Sequence, residues 1–269
     1  MALDVAIQVV NYRTRAHLEA CLPTVLADAP EARVLVLDNA SGDDLSELAA
    51  RHPEVEFVTA ERNLGFGAGH NLLAERHDAG ALLFLNPDTR FVEPRTVERL
   101  LAALGGDVRA VGPHLVTAAG EWDPRDHGEL HGFRARVAQA AGSSHYRRRD
   151  APADAAWVSG AACLVARPAF EAVGGFDPGF FLYKEEEDLF LRMRRLGARV
   201  VYAPELRVVH HGSVTGARPA HLDASVRRFR DKHLRGTLRR RVLPPLHQQL
   251  VNWEGRARRA RSLVRGGGS

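Results

Sequence analysis

Short apolar runs alternate with helical patterns along the first hundred residues, at the spacing of a parallel α/β sheet. Strands are predicted at 5–10, 34–38, 55–59 and 81–85, with helices between them at 17–27, 44–50 and 67–76. A further helix at 93–104 and a return to the sheet at 108–112 complete a Rossmann-like, nucleotide-binding half. The pattern then breaks down. Residues 113–154 hold turn residues, one helical stretch at 133–141 and the basic patch Arg147, Arg148 and Arg149, and read as a mobile or partner-facing excursion. Order returns over 156–166, and a short helix at 168–173 stops on Gly174 and Gly175. The helix at 185–196 is the clearest amphipathic element, with Leu189, Met193 and Leu196 on one face and Gly197 as its stop. Strands at 199–202 and 207–210 follow. The expected organisation is one α/β domain over 1–215, with halves 1–112 and 113–215, and a basic, largely helical tail over 216–269.

Composition adds bounds to this pattern. With 45% hydrophobic and 26% charged residues, a chain of 269 can bury a core and is neither disordered nor disulfide-stapled. Cys21 and Cys163 stand alone, without metal-ligand spacing or a disulfide framework, which suits a reducing cytoplasm. The start, MALDVAIQVVNY, reads as a strand rather than a signal peptide, and no apolar run approaches the ~20 residues needed to span a bilayer. The protein is therefore expected to be cytoplasmic, either soluble or peripheral on the inner face of the membrane.

Charge is unevenly placed. From Arg227 onward thirteen Lys and Arg face two acids, about +11, while the rest of the chain carries about −7. A basic tail on a mildly acidic body excludes nucleic acid as a partner of the body.

Ligands of open α/β sheets bind beyond the carboxyl ends of the strands, so polar residues there are the candidates. Asn11 and Tyr12 follow the first strand, Asp38 and Asn39 the second, Asn63 the third, and Asn86, Pro87 and Asp88 the fourth. Asp38 can accept from a ribose hydroxyl or a base N–H, or it can simply start a turn. The segment NLGFGAGHN, from Asn63 to Asn71, brings Gly65, Gly67 and Gly69, whose lack of Cβ lets backbone approach a ligand closely. It is not a hydride-cofactor fingerprint.

Asp88 ends a buried apolar strand in LFLNPDT, where a carboxylate can hold a divalent cation against a diphosphate. Lys184, Glu185, Glu186, Glu187 and Asp188 open the amphipathic helix after the aromatic run FDPGFFLY. Acids in a first turn suit the helix dipole, and a carboxylate there can also take a proton from an attacking hydroxyl. His210 and His211 end the last strand, where either a local hydrogen bond or a second metal ligand is open to them.

Together these segments resemble the family-2 glycosyltransferases of the GT-A fold, and in particular their rhamnosyltransferase-like branch. The likeness runs from Val5 to Ser213 and is carried, in the family's order, by VVNY, VLDNASGDD, ERNLGFGAGHN, LFLNPDT, WVSGAACLVARPAFEAVGGFDPGFFLYKEEEDLFLRMRRLG and VVHHGS. It implies a Rossmann-like, mostly parallel sheet flanked by helices, an N-terminal half for a nucleotide-sugar and a second half for acceptor and catalysis. Asp38 and Asn63 would contact the nucleoside, within a donor site that also takes in Asn11, Gly65, Gly67, Asn71 and Asn86.

Asp88 falls on the last acid of the family's Asp-x-Asp metal motif, whose first acid is Asn86 here. His210 falls on the metal-binding histidine, and Mg or Mn is the implied cation. The family's Glu-Asp-x-Asp stretch falls on Glu185 to Asp188, and its catalytic base on Glu186. The implied reaction is an inverting transfer from a UDP- or dTDP-sugar to a hydroxyl of a glycan, a lipid-linked glycan or a natural product.

Two other readings compete with it. A sugar-nucleotide pyrophosphorylase would want glycines directly after the first strand, where this chain has NYRT. A silent sugar-nucleotide binder or scaffold would not need the acids and histidines. The tail, in which basic residues recur with Phe229, Leu234, Leu238 and Trp253, would either lie on an anionic membrane or pack on the body or on a second subunit of a homodimer.

Overall fold

The computed structural model describes residues 3–129, 135, 148–212 and 219–234. The helix expected at 133–141, Arg147 and the tail beyond 234 lie outside these residues. Four parallel strands open the fold: β1 (Val5–Asn11), β2 (Arg33–Asp38), β3 (Val55–Thr59) and β4 (Ala81–Leu85). Between and after them come helices α1 (Arg15–Asp28), α2 (Ser46–Arg51), α3 (Phe66–Ala74) and α4 (Thr96–Ala103), with the short β5 (Thr89–Phe91) before α4. Then follow β6 (Val108–Val116), β7 (His127–Gly128), β8 (Ala153–Asp154), β9 (Trp157–Val158) and β10 (Ala162–Ala166). Helices α5 (Arg167–Ala172) and α6 (Glu185–Arg195), strand β11 (Arg199–His210) and α7 (Pro219–Leu234) complete the order.

The main sheet runs β3-β2-β1-β4-β10-β6-β11-β5, with β8 paired to β11, and β7 and β9 form a separate ribbon. Parallel pairing holds through β3-β2-β1-β4 and again for β6 with β11, whereas β10 runs antiparallel between β4 and β6. Strand order reverses between β2 and β4 around β1, and that reversal opens a crevice at the carboxyl ends of β1 and β4.

Every residue of β4 is buried, as a central strand covered on both faces requires. Its side chains alternate between two cores. Leu83 and Leu85 join Ile7, Val9, Leu18, Leu22, Leu48, Val97 and Leu100 under α1, α2 and α4. Leu82 and Phe84 face the other way, onto Phe170, Phe176, Leu189, Phe190 and Met193 of the α5 and α6 side.

Two sequence expectations change here. The strands expected at 199–202 and 207–210 are one strand, β11, whose register against β6 shifts between Ala203 and Arg207. Pro204 supplies no backbone N–H there, so pairing lapses without the strand ending. The expected excursion begins instead as a continuation of β6 to Val116, and Asp123, Asp126 and His127 return into the interior.

Candidate active site

Two polar knots shape the carboxyl ends of β1 and β2. Asn11 is fully buried: its Nδ2 donates to Asp43 Oδ2 at 3.0 Å and Ser41 Oγ at 3.4 Å, and its Oδ1 accepts from Thr14 Oγ1 at 2.7 Å. The side chain expected to meet a ligand thus holds the 39–43 loop instead. Asn39 Nδ2 donates to Asn63 Oδ1 at 3.0 Å and to the Gly65 carbonyl at 3.2 Å, while its Oδ1 accepts from Leu64 N–H at 2.8 Å. Asp38 uses Oδ1 to accept from Ser41 N–H at 3.1 Å. Its Oδ2, and the Nδ2 of Asn63, make no hydrogen bond among the described residues and remain available to a ligand at this rim.

The glycines of α3 have a different cause from the one expected. A Cβ on Gly65 (φ +84°) would lie 2.2 Å from the Phe181 carbonyl oxygen, and one on Gly67 would lie 2.8 Å from Phe176 Cβ. Gly69 faces Val10 and Leu37 in the same way. The close approach is therefore to protein: Phe66 N–H donates to the Phe181 carbonyl at 3.1 Å. Asn71 belongs to the same seam, its amide exchanging hydrogen bonds with Phe176 N–H (2.9 Å) and Phe176 carbonyl (2.8 Å). Gly65, Gly67 and Asn71 thus fasten α3 to the 176–181 segment that delivers the acidic helix.

That delivery is strained. Tyr183 and Lys184 both have positive φ, at 72° and 71°, immediately before α6, and Arg13 and Ala40 share this conformation beyond β1 and β2. Non-glycine residues held there cluster at functional sites.

The four acids of α6 meet four different fates. Asp188, fully buried, accepts from Arg192 Nε at 2.8 Å and faces Lys232 Nζ and His233 Nε2, each at 2.7 Å. Glu187 pairs with Lys184. Glu185 is buried with Oε2 unpartnered among the described residues, and burial, then the neighbouring Glu186, raise its pKa well above the carboxylate range. Glu186 is half-buried, makes no side-chain hydrogen bond among the described residues, and is pushed up to about 7 by burial and the nearby Glu187. A carboxyl poised near neutral pH is suited to proton transfer. Glu186 is thus the one acid of the run that is neither fully buried nor engaged by another side chain among the described residues.

Glu186 stands over the start of β10, where a Cβ on Gly160 would sit 3.9 Å from its own Cβ. The next carbonyl, Ala161, accepts from Asn86 N–H at 2.8 Å. The β4–β10 junction therefore links Glu186 to the loop of Asn86 and Asp88, and the Asn86 side chain makes no hydrogen bond among the described residues.

Asp88 lies against the end of β11. Its Oδ2 accepts from Gly212 N–H at 3.1 Å and stands 3.6 Å from His210 Nε2, and its carbonyl accepts from His211 N–H at 2.9 Å. Two cis ligands at 2.0–2.2 Å from a cation lie about 3 Å apart, so this pair needs only a small adjustment to share one. Asp88 Oδ1 makes no hydrogen bond among the described residues. No group of three or more His, Cys, Asp or Glu side chains among them could hold a metal, so any cation here would complete its shell with substrate oxygens or water. Burial lowers the His211 pKa, as does Arg90.

Two acids escaped the sequence reading. Asp123 Oδ2 lies 3.2 Å from His210 Nδ1, and Arg125 donates to Asp123 through Nε (2.9 Å) and NH2 (3.0 Å). Burial alone would raise the Asp123 pKa, but His210 and Arg125 outweigh it and hold the carboxyl well below its ordinary range. Asp126, 1% exposed, accepts from Trp122 Nε1 (3.0 Å) and Tyr202 hydroxyl (2.8 Å) and contacts His114 Nδ1 (3.1 Å) and His127 Nδ1 (2.7 Å). The concentration of Trp, Asp and His in WDPRDH was the available signal.

The helix α7 closes the back of the acidic helix. Arg228 and Lys232 donate to Asp177 at 2.8 and 2.7 Å, Ser225 Oγ donates to the Leu182 carbonyl at 2.8 Å, and the Phe181 and His221 rings stack at 5.0 Å. No helix among the described residues is long and apolar enough to cross a membrane.

Comparison with known proteins bears on the family and the fold. A family model described as glycosyltransferase-like family 2 matches residues 3–235. The N-acetylglucosaminyl-diphospho-decaprenol L-rhamnosyltransferase of Mycobacterium tuberculosis is 31% identical over 243 residues, covering 80% of this chain and 79% of that one. Rhamnosyltransferase WbbL of Escherichia coli K12 is 25% identical, with 77% and 83% covered. Among solved structures, the mannosyltransferase PcManGT of Pyrobaculum calidifontis, in complex with GDP-Man and Mn2+, superposes with a TM-score of 0.56 at 17% identity, covering 99% of this chain and 80% of that one.

Proposed function

The chain belongs to glycosyltransferase-like family 2 and is a glycosyltransferase, and we propose that it transfers a hexosyl group, with inversion, from a UDP- or dTDP-sugar to a hydroxyl of a lipid-linked glycan. The observation that carries the mechanism is the isolation of Glu186 among its acidic neighbours, with its pKa near 7. Glu186 takes the proton of the acceptor hydroxyl, whose oxygen attacks the anomeric carbon from the face opposite the diphosphate as the bond from that carbon to the diphosphate oxygen breaks and the nucleoside diphosphate leaves. Asp38 Oδ2 and Asn63 Nδ2 hold the nucleoside, and Asn86 lines the floor between donor and base. Asp88 and His210 would hold a Mg or Mn ion, which neutralises the charge developing on the diphosphate when bound.

Rhamnose is the sugar favoured, and a polyprenyl-diphosphate glycan the acceptor, because two curated relatives are named rhamnosyltransferases and one of them acts on a diphospho-decaprenol. No finding favours a pyrophosphorylase or a silent binder. A peripheral membrane position suits such an acceptor, and the sequence from Arg235 onward carries nine arginines of the kind that an anionic surface attracts. Radiolabelled dTDP-rhamnose incubated with N-acetylglucosaminyl-diphospho-polyprenol and Mn2+ tests the substrate assignment. Label in the lipid phase supports it, and no transfer from dTDP-rhamnose alongside transfer from another sugar nucleotide redirects it.

A further inference from the structure

The end of β11 carries a contact that a two-ligand cation site does not by itself require. His210 reaches Asp88 with Nε2 and Asp123 with Nδ1, at 3.6 and 3.2 Å. Both Asp123 oxygens already accept from Arg125, so Asp123 meets the imidazole as a carboxylate, which only accepts. A neutral imidazole has one N–H, and placing it on Nδ1 leaves the lone pair of Nε2 directed at Asp88.

We propose that Asp123 is a positioning residue that fixes the His210 ring and its tautomer, so that Nε2 is presented as a ligand beside Asp88. The inference rests on the cation-binding reading of Asp88 and His210 given above. A carboxylate behind a ligating histidine orients the ring and raises its basicity.

The surroundings hold Asp123 in place for that task. Its backbone N–H donates to the Leu115 carbonyl on β6 at 2.9 Å, its carbonyl accepts from Asp126 N–H at 3.2 Å, and Arg125 N–H donates to its Oδ1 at 3.1 Å. Asp126 ties the same turn to β11 through Tyr202 and to β6 through His114. The turn, Asp123 and the end of β11 therefore form one braced unit, and the Asp123 side chain is 4% exposed.

The test is Mn2+ binding to the full-length protein, followed by loss of the free-ion EPR signal, for wild type, Asp123→Asn and His210→Ala. Asp123→Asn should weaken Mn2+ binding by about 10–100-fold, toward the His210→Ala level, while its melting temperature without metal stays close to wild type. Wild-type affinity in Asp123→Asn would overturn the positioning role and leave the cation site standing; no Mn2+ binding by the wild type would overturn both. A second measurement needs no variant to fold. Long-range 1H–15N spectra of histidine-labelled wild-type protein at pH 8 should show the His210 proton on Nδ1, and a proton on Nε2 contradicts the proposal.

Discussion

Asp188 Oδ1 and His233 Nε2 meet at 2.7 Å, which binds α7 to the core of the acidic helix rather than leaving it as a free tail. With Arg192 and Lys232 beside it, Asp188 is a buried anion held by three partners. Removing one member of such a network typically costs about 3–5 kcal/mol, because the others stay buried without compensation. Asp188→Asn is therefore expected to lower thermal stability markedly and to reduce activity only in proportion to unfolding. Urea denaturation with parallel turnover assays measures both.

The pH profile should carry the signature of Glu186. Its folded pKa of about 7 lies above the unfolded value near 4.5, so the folded state binds more protons between those values. Stability contributed by this group is present below about pH 4.5 and is lost as pH rises through 7. Activity runs the other way, rising with pH toward a plateau above 7 as the base ionises. Melting temperatures at pH 5, 6, 7 and 8 for wild type and Glu186→Gln check the first, with the variant gaining relative stability at pH 8.

At Gly65 the backbone has φ 84° and ψ 179°, a region accessible essentially only to glycine, and the Phe181 carbonyl occupies the space of a Cβ. Gly65→Ala should cost at least about 1–3 kcal/mol and displace the segment that delivers α6. Circular dichroism melts should show the loss, with a fall in kcat exceeding any change in nucleotide affinity.

Truncation should separate the two parts of the C-terminal extension. Ending the chain after Ser225 removes Arg228, Lys232 and His233 from Asp177 and Asp188, and should destabilise the catalytic body. Ending it after Leu234 keeps those contacts but deletes nine basic residues, each worth about 1 kcal/mol near an anionic surface. Co-sedimentation with anionic vesicles at low salt should be lost in that shorter form, and binding equal to the full chain assigns the extension another role.

The framework was legible because its signals are local. The all-apolar ALLFL, the strand-ending Asp38 and the Asp88 that follows the fourth strand mark a buried parallel sheet and its carboxyl edge without any knowledge of partners. Gly65 and Gly67 were legible as sites of close approach, but what approaches is set by Phe176 and Phe181, more than 100 residues away. Asn11 and Asn71 sit where a ligand residue would, and only their long-range hydrogen bonds to Asp43 and Phe176 reveal the structural role. Asp123 and Asp126 lie in a stretch without periodicity, and their significance comes from β6 and β11, which fold back on them. Within the acidic run, sequence supplied four carboxyls of one type; the packing of α7 and Lys184 engages two of them, and full burial takes a third.

Glu186 as the base is the central claim, and sugar transfer at pH 8 by wild type, Glu186→Gln and Asp188→Asn tests it most directly, with each rate normalised to folded, nucleotide-binding protein. The account predicts that Glu186→Gln loses about 10²–10⁴-fold in kcat with unchanged nucleotide affinity, and that Asp188→Asn retains most of its rate. Near-normal transfer by Glu186→Gln, with the collapse found in Asp188→Asn instead, would contradict it.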